Sequence, residues 1–191
     1  MDIYKDELSE FISNHPLRVF CPKTSWQILI PMAIGLAHSG LTFARTEGEV
    51  SYSPESLEER IESSGIEITE STAENFPSGS SPSWTFFAWS DPDKQMLSLN
   101  TAAIRKLLSL KTCPKLPRGI TPQTVHALFL AHEWFHLFIE RIEKPLEWIE
   151  LSESERIIVE EMSARIFSVL ILGVPHSPLF LDRLLIQSFP S

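Results

Sequence analysis

The sequence contains little cysteine, and its two cysteines do not stand at a spacing typical of metal or redox sites. Only Cys21 and Cys113 occur among 191 residues, which is too few for the disulfide framework of a small secreted protein. The amino-terminal stretch is polar and acidic, unlike the apolar segment of a secretory signal peptide. We therefore expect reduced thiols and a cytoplasmic location.

The sequence also lacks an uninterrupted apolar run of the length that a membrane-spanning helix requires. Its most apolar stretch, residues 26–43, is interrupted by Gln27, Pro31, His38 and Ser39, whereas a spanning helix needs about 20 predominantly apolar residues. Residues 26–43 therefore predict a buried helix of a globular protein rather than a membrane span.

Positive charge is scarce overall, and acidic side chains are missing from one long segment. A net charge of −9 argues against broad binding to nucleic acid or to anionic membranes. Between Asp93 and Glu133 there is no acidic residue, and the positive side chains there are Lys94, Arg105, Lys106, Lys111, Lys115 and Arg118. Such a segment is usually solvated surface; the alternative is one wall of a groove for an acidic partner.

The composition is that of a globular chain that can form its own core. Hydrophobic residues make up 43% and charged residues 21%, so we expect a single domain over residues 1–191. Periodicity and capping signals predict helices at 2–13, 25–38, 54–64, 101–110, 122–142, 153–172 and 178–188. Alternating or aromatic runs predict strands at 66–69, 84–89 and 95–100, with a polar loop at 71–83. The expected class is α+β: a small antiparallel sheet of about three strands packed with five to seven helices.

The stretch LFLAHEWFHLFIE, residues 128–140, carries the clearest chemical signal. On a helix His132 and His136 lie one turn apart on the same face, so both imidazoles can reach one ion about 2.0 Å away. Glu133 points about 100° round from His132, where it could take a proton from a water held by the ion. This HExxH arrangement is typical of zinc-dependent hydrolases. The alternative is a pair of core histidines bonded to backbone groups, with Glu133 in a salt bridge.

A catalytic zinc also needs a third protein ligand and one open position. The two positions where a metzincin would have a glycine and a third histidine are both isoleucine, which excludes that class. The remaining common solution is a glutamate on a later helix, where Glu160 and Glu161 are both available. Glu161 shares a helix face with two small residues, Ala164 and Ser168, which would let the two helices approach closely. This favours Glu161, with Glu160 as the alternative.

HExxH followed on a later helix by EMSARIF, residues 161–167, resembles the ImmA/IrrE family of small gluzincin-type metallopeptidases. That family's later helix carries E-x-x-A-N-x-F-A, which is matched here by Glu161, Ala164 and Phe167, with Arg165 in place of the usual Asn. LILGVP resembles the Leu-rich stretch ending in proline that follows, and MLSLN resembles the strand that ends in Asn before the His helix. The resemblance covers about residues 95–176, the expected metal core.

The resemblance implies a zincin-like fold, bound Zn2+ and endopeptidase activity, which in this family is often directed at a transcriptional repressor. It also implies that an edge strand, 84–89 or 95–99, holds the substrate peptide by strand addition. The expected partner is thus a peptide or protein, not nucleic acid or a membrane. The alternative is a catalytically silent binding or regulatory protein with the same fold, suggested by the bulky Trp134 and Phe135 within the motif and by Arg165 at the position where some gluzincins carry an aspartate.

Two further histidines lie close to these segments in the sequence. His176 follows the Glu161 helix, where it could stabilise the oxyanion of a tetrahedral intermediate; the alternative is an ordinary loop histidine. His126 precedes His132 on the same helix but lies well round it, so we do not count it as a ligand.

Overall fold

The computed structural model describes residues 5–15, 17, 19, 26–45, 49–71 and 84–188. Cys21 and the polar loop expected after Ser71 lie outside these residues, so their predictions stay untested.

The described residues form an α+β structure, which confirms the expected class. The helices are α1 Lys5–Asn14, α2 Trp26–Ala44, α3 Pro54–Ser63, α4 Trp84–Phe87, α5 Thr101–Ser109, α6 Pro122–Phe138, α7 Glu153–Ile171 and α8 Phe180–Ser188. The strands are β1 Glu67–Glu70, β2 Ala88–Asp91 and β3 Met96–Leu99. Two 3-10 turns, Ile139–Arg141 and Leu146–Glu150, connect α6 to α7.

The sheet is mixed, so the prediction of an antiparallel sheet was wrong. Its order is β1-β3-β2, with β1 parallel to β3 and β2 antiparallel to β3. Only β2 and β3 are joined by a tight turn, at residues 92–95. Between β1 and β3 the chain forms α4 and β2. β3 then pairs with β1 and runs in the same direction. Strand order of this kind depends on a crossover, which short-range patterns do not encode.

The aromatic stretch predicted as a strand at 84–89 is divided between two elements. Trp84–Phe87 forms the single helical turn α4, and only Ala88–Asp91 is extended. The Asn100 backbone N–H donates to the carbonyl oxygen of Phe87 at 2.7 Å, and its side-chain amide donates to that of Phe86 at 3.2 Å. Because Asn100 satisfies these carbonyls, tertiary contacts override the strand preference of the aromatic residues.

The helices that carry the motif begin where their capping signals predict. The side chain of Thr121 accepts a hydrogen bond from the backbone N–H of Thr124, and Pro122 occupies the first turn of α6. Ser152 and Glu155 form a reciprocal capping box at the start of α7. α6 ends at Phe138, earlier than predicted, because the chain tightens there into a 3-10 turn. The starts of both helices thus follow from local sequence.

α2 packs against α7, and α6 packs against the same helix. α2 and α6 approach closely at Gly40, where an added Cβ would lie 2.8 Å from Cε2 of Phe135 and 3.3 Å from Cδ2 of Phe167. By length and composition α2 could cross a membrane, but 56% of its apolar window is buried inside the protein. The expected buried helix is therefore present, and it supports the two helices that hold the site.

Candidate metal centre

The structure brings His132 and His136 of α6 together with Glu161 of α7. The two imidazole Nε2 atoms are 3.2 Å apart. Oε1 of Glu161 lies 3.5 Å from Nε2 of His136, and Oε2 lies 3.6 Å from Nε2 of His132. Ligand atoms about 2.0–2.1 Å from a tetrahedral ion are separated by about 3.3–3.4 Å. The three side chains could therefore hold one metal ion.

Both imidazoles are prepared for metal binding because they are neutral at neutral pH. Burial is the main cause that lowers the pKa of His132 well below its ordinary value; Glu161 opposes this effect, and His136 and Arg165 add to it. Burial likewise lowers the pKa of His136, against the effect of Glu161 and with a smaller contribution from Arg165. A neutral imidazole has a free lone pair, which is the form that binds a metal.

Glu161 is ionised and faces the two imidazoles, whereas Glu160 does not belong to this group. Burial of Glu161 opposes its ionisation, but the electrostatic effects of His132, Arg165 and His136, together with a hydrogen bond from Arg165, lower its pKa to about 2. Burial raises the pKa of Glu160, and the charges that act on it most strongly are those of Glu140 and Lys144, after α6. The cluster contains Glu161, as the helix-face argument favoured.

Glu133 is a buried carboxyl group next to the cluster. Only 7% of the residue is exposed, and the Ser90 hydroxyl of β2 donates to its Oε2 at 3.2 Å. Burial, together with the negative charge of Glu161, raises the pKa of Glu133 to about 8 in the absence of a metal, although the Ser90 hydrogen bond lowers it. A divalent cation beside the carboxyl would favour its ionised form. Glu133 can then act as a general base.

The two bulky residues within the motif are part of the core. Trp134 is 2% exposed and Phe135 is fully buried. Both rings pack against Phe138 and Phe167, with ring centroids between 5.3 and 6.0 Å apart. Their size is therefore accounted for by core packing between α6 and α7, which removes one reason for expecting a silent site.

The two further histidines considered from the sequence lie outside the cluster. His176 lies in the loop after α7, with its ring 5.9 Å from that of Phe180. Its Nε2 is buried and has no hydrogen-bond partner within the described part of the chain, so its role in catalysis stays a prediction. His126 lies near Arg105 and Glu70, whose charges act on its pKa after the larger effect of burial.

One residue near the cluster, His15, could not be identified from the sequence. His15 stands just after α1, and burial lowers its pKa; Glu161 exerts the largest charge effect on it, followed by Arg165 and Asp182. Its Nδ1 accepts a hydrogen bond from the backbone N–H of Leu17 at 3.2 Å, so Nε2 carries the proton of the neutral ring. Nothing in the sequence links position 15 to a helix so far along the chain.

Comparison of the chain with protein-family models, curated proteins and solved structures gave no significant match. The assignment of a metal site therefore depends on the geometry of this chain's own residues.

Proposed function

We propose that this protein is a zinc-dependent metallopeptidase with a zincin-like fold, similar to the ImmA/IrrE family, in which His132, His136 and Glu161 hold the ion. The observation that carries this proposal is the close approach of the three side chains: the two Nε2 atoms are 3.2 Å apart, and one oxygen of Glu161 lies 3.5 Å from Nε2 of His136 while the other lies 3.6 Å from Nε2 of His132, close to the edge length of a tetrahedral zinc site. Zinc suits two imidazoles and one carboxylate, with a fourth position left for water or substrate.

A zinc ion at this site would acidify a water and polarise the peptide carbonyl. Glu133 takes one proton from the water as its oxygen attacks the carbonyl carbon, and then passes that proton to the nitrogen of the leaving amine. The Ser90 hydroxyl, 3.2 Å from Oε2 of Glu133, orients the carboxylate and stabilises its ionised form. Burial excludes bulk water from this proton transfer.

The substrate would bind along β2. In the described sheet β3 is the central strand, which leaves β2 as an edge strand, and Ser90 of β2 contacts Glu133 directly. An extended peptide that added to the outer edge of β2, which no strand of the described residues covers, would therefore lie beside the general base. Of the two strand regions expected to hold the peptide, 95–99 is excluded because it is paired on both sides.

The partner we propose is a protein with an extended, cleavable segment. The resemblance to the ImmA/IrrE family is what supports a transcriptional repressor as that partner and the cytoplasm as the place of action. The substrate segment itself is to be found by experiment.

Metal content is the direct test of the site. Purified without chelator or metal affinity resin, the wild-type chain should contain about one zinc per chain. His132→Ala and Glu161→Ala should lose it, while Glu160→Ala serves as the matched control and should keep it. If the wild type fails to bind added zinc at micromolar concentration, the HExxH segment is a structural helix and the proposal is wrong.

Activity separates a peptidase from a silent zincin-like protein. The zinc-loaded wild type and Glu133→Gln would each be incubated with a library of proteome-derived peptides, and new termini identified by mass spectrometry. A peptidase should generate new termini that disappear in Glu133→Gln, although the variant still binds zinc. If the zinc-loaded wild type generates none, the silent binding or regulatory function is favoured.

A further inference from the structure

The proposed metal-binding carboxylate is held by a buried arginine. Arg165 lies one turn after Glu161 on α7, and only 5% of its side chain is exposed. Its Nη1 donates to Oε2 of Glu161 at 2.5 Å and to the Glu161 backbone carbonyl oxygen at 3.0 Å. Oε1 of the same carboxylate is left to face Nε2 of His136 at 3.5 Å. Arg165 thus fixes how the carboxylate is turned.

The rest of the guanidinium group is bound to a second carboxylate. Nε donates to Oδ2 of Asp182 at 2.9 Å and Nη2 donates to Oδ1 at 3.0 Å, which is the two-bond geometry that arginine forms with carboxylates. Asp182 belongs to α8, and the ring of Phe11 from α1 lies 4.6 Å from the guanidinium carbon. Three helices therefore meet at Arg165.

Asp182 also restricts how Arg165 can hydrogen-bond to the carboxylate of Glu161. A guanidinium with a single carboxylate partner tends to bind both of its oxygens. If Arg165 did this to Glu161, Oε1 would be bound by an N–H group and lost to the ion. Because two hydrogen bonds to Asp182 hold Nε and Nη2, the guanidinium is fixed in the orientation in which its described contacts with the Glu161 carboxylate come from Nη1 alone.

We propose that Arg165 is a positioning residue for the metal-binding carboxylate, and that Asp182 acts through Arg165 by preventing it from capturing both oxygens of Glu161. This inference rests on the proposed metal site. Ligands of bound metals generally have an orienting partner, and the inference assigns that role for Glu161 to a buried cation.

The test compares the zinc affinities of variants by competition with a chromophoric chelator. Asp182→Asn should weaken zinc binding about 10- to 100-fold, the usual effect of removing an outer partner of a metal ligand. The double variant Arg165→Gln with Asp182→Asn should bind zinc more tightly than Asp182→Asn alone, because the competing guanidinium is gone. Asp182→Glu, which keeps the carboxylate, should stay close to the wild type.

Glu10→Gln is the matched control for a general loss of packing. Arg183 of α8 pairs with Glu10 of α1 at 3.0 Å, so this change removes an ion pair on the same helix α8 without touching Arg165. Its zinc affinity should equal that of the wild type. Circular dichroism would check that each variant is folded. If Asp182→Asn is not, the folded double variant should still bind zinc because no guanidinium remains to compete for Glu161, and its failure to bind would overturn the inference.

The inference is overturned if Asp182→Asn binds zinc as tightly as the wild type, or if the double variant binds it more weakly than Asp182→Asn does. In both cases zinc binding by the wild type shows that the metal site itself stands. Failure of the wild type and of Glu10→Gln to bind zinc would overturn the proposed function, and the inference with it.

Discussion

Replacing the proposed general base should stabilise the metal-free protein. Glu133 is 7% exposed, and its pKa is raised from 4.5 to about 8, chiefly by burial and also by the charge of Glu161. At neutral pH the folded chain therefore keeps this carboxyl protonated, whereas the unfolded chain ionises it. Glu133→Gln retains the shape of the protonated group and its contact with Ser90 but cannot ionise in either state.

The sign and size of the effect follow from this difference in pKa. Below pH 4.5 both states bind the proton, and the carboxyl group costs no stability. As the pH rises from 4.5 to 8, the unfolded state releases its proton first, so the free energy of unfolding falls by about 1.4 kcal/mol per pH unit. Relative to wild type, Glu133→Gln should therefore gain about 3 kcal/mol at pH 7 and about 5 kcal/mol above pH 8.

The assay is urea unfolding of the metal-stripped proteins, followed by circular dichroism at intervals between pH 4.5 and 8.5. Glu59→Gln, an exposed position on α3, is the matched control and should differ from wild type by no more than about 0.5 kcal/mol at any pH. With zinc bound, the advantage of Glu133→Gln should shrink, because the ion stabilises the carboxylate. An advantage that is the same at pH 5 and pH 8 would refute the reasoning.

Three further outcomes follow from contacts in the structure. Gly40→Ala should lower the free energy of unfolding by about 1–3 kcal/mol, because its Cβ would lie 2.8 Å from Phe135. Gly35→Ala, on the same helix with nothing within 4 Å of its Cβ, should raise that free energy by about 1 kcal/mol. Equal effects of the two changes in denaturant unfolding would contradict the close packing at Gly40. Asn100→Ala should cost about 2 kcal/mol, since Asn100 caps α5 and also donates to a carbonyl of α4. Asn100→Ser, which keeps a neutral cap acceptor, should cost less; equal costs would show that the cap contributes nothing. Because burial lowers the pKa of both imidazole ligands, the zinc affinity of Glu133→Gln, in which the neighbouring carboxyl can no longer titrate, should stay level from pH 8 down to about 6.5. A decline in the affinity of this variant that begins above pH 7 would argue against these lowered pKa values.

The helices were predictable because their signals are local. Thr121 and Ser152 lie within one turn of the groups they cap, so both partners of each interaction occur within four consecutive residues of the sequence. The sheet was less predictable because its pairings join distant segments. The direction of β1 relative to β3 depends on a crossover, and the aromatic residues of α4 are held in a helical turn by Asn100, which comes later in the chain.

The same distinction applies to the site. His132, Glu133 and His136 lie on one helix, so their spacing alone defines a face, and the small residues near Glu161 indicated which glutamate meets it. Ser90 could not be found in this way, because its contact with Glu133 depends on how β2 packs against α6. Tertiary packing, not spacing, places that hydroxyl.

The surroundings of Glu161 show why segments on both sides of residues 95–176 belong to the site. Arg165 can orient the carboxylate only if its own charge is satisfied, because a buried cation without a partner is strongly destabilising. Asp182, after this segment, provides two hydrogen bonds, and Phe11, before it, covers the guanidinium face. Residues 95–176, which contain every proposed ligand, therefore lack two of the groups that position one of them. A metal core defined by its motifs alone would leave Arg165 with Glu161 as its only carboxylate among the contacts described, which is the arrangement expected to weaken metal binding.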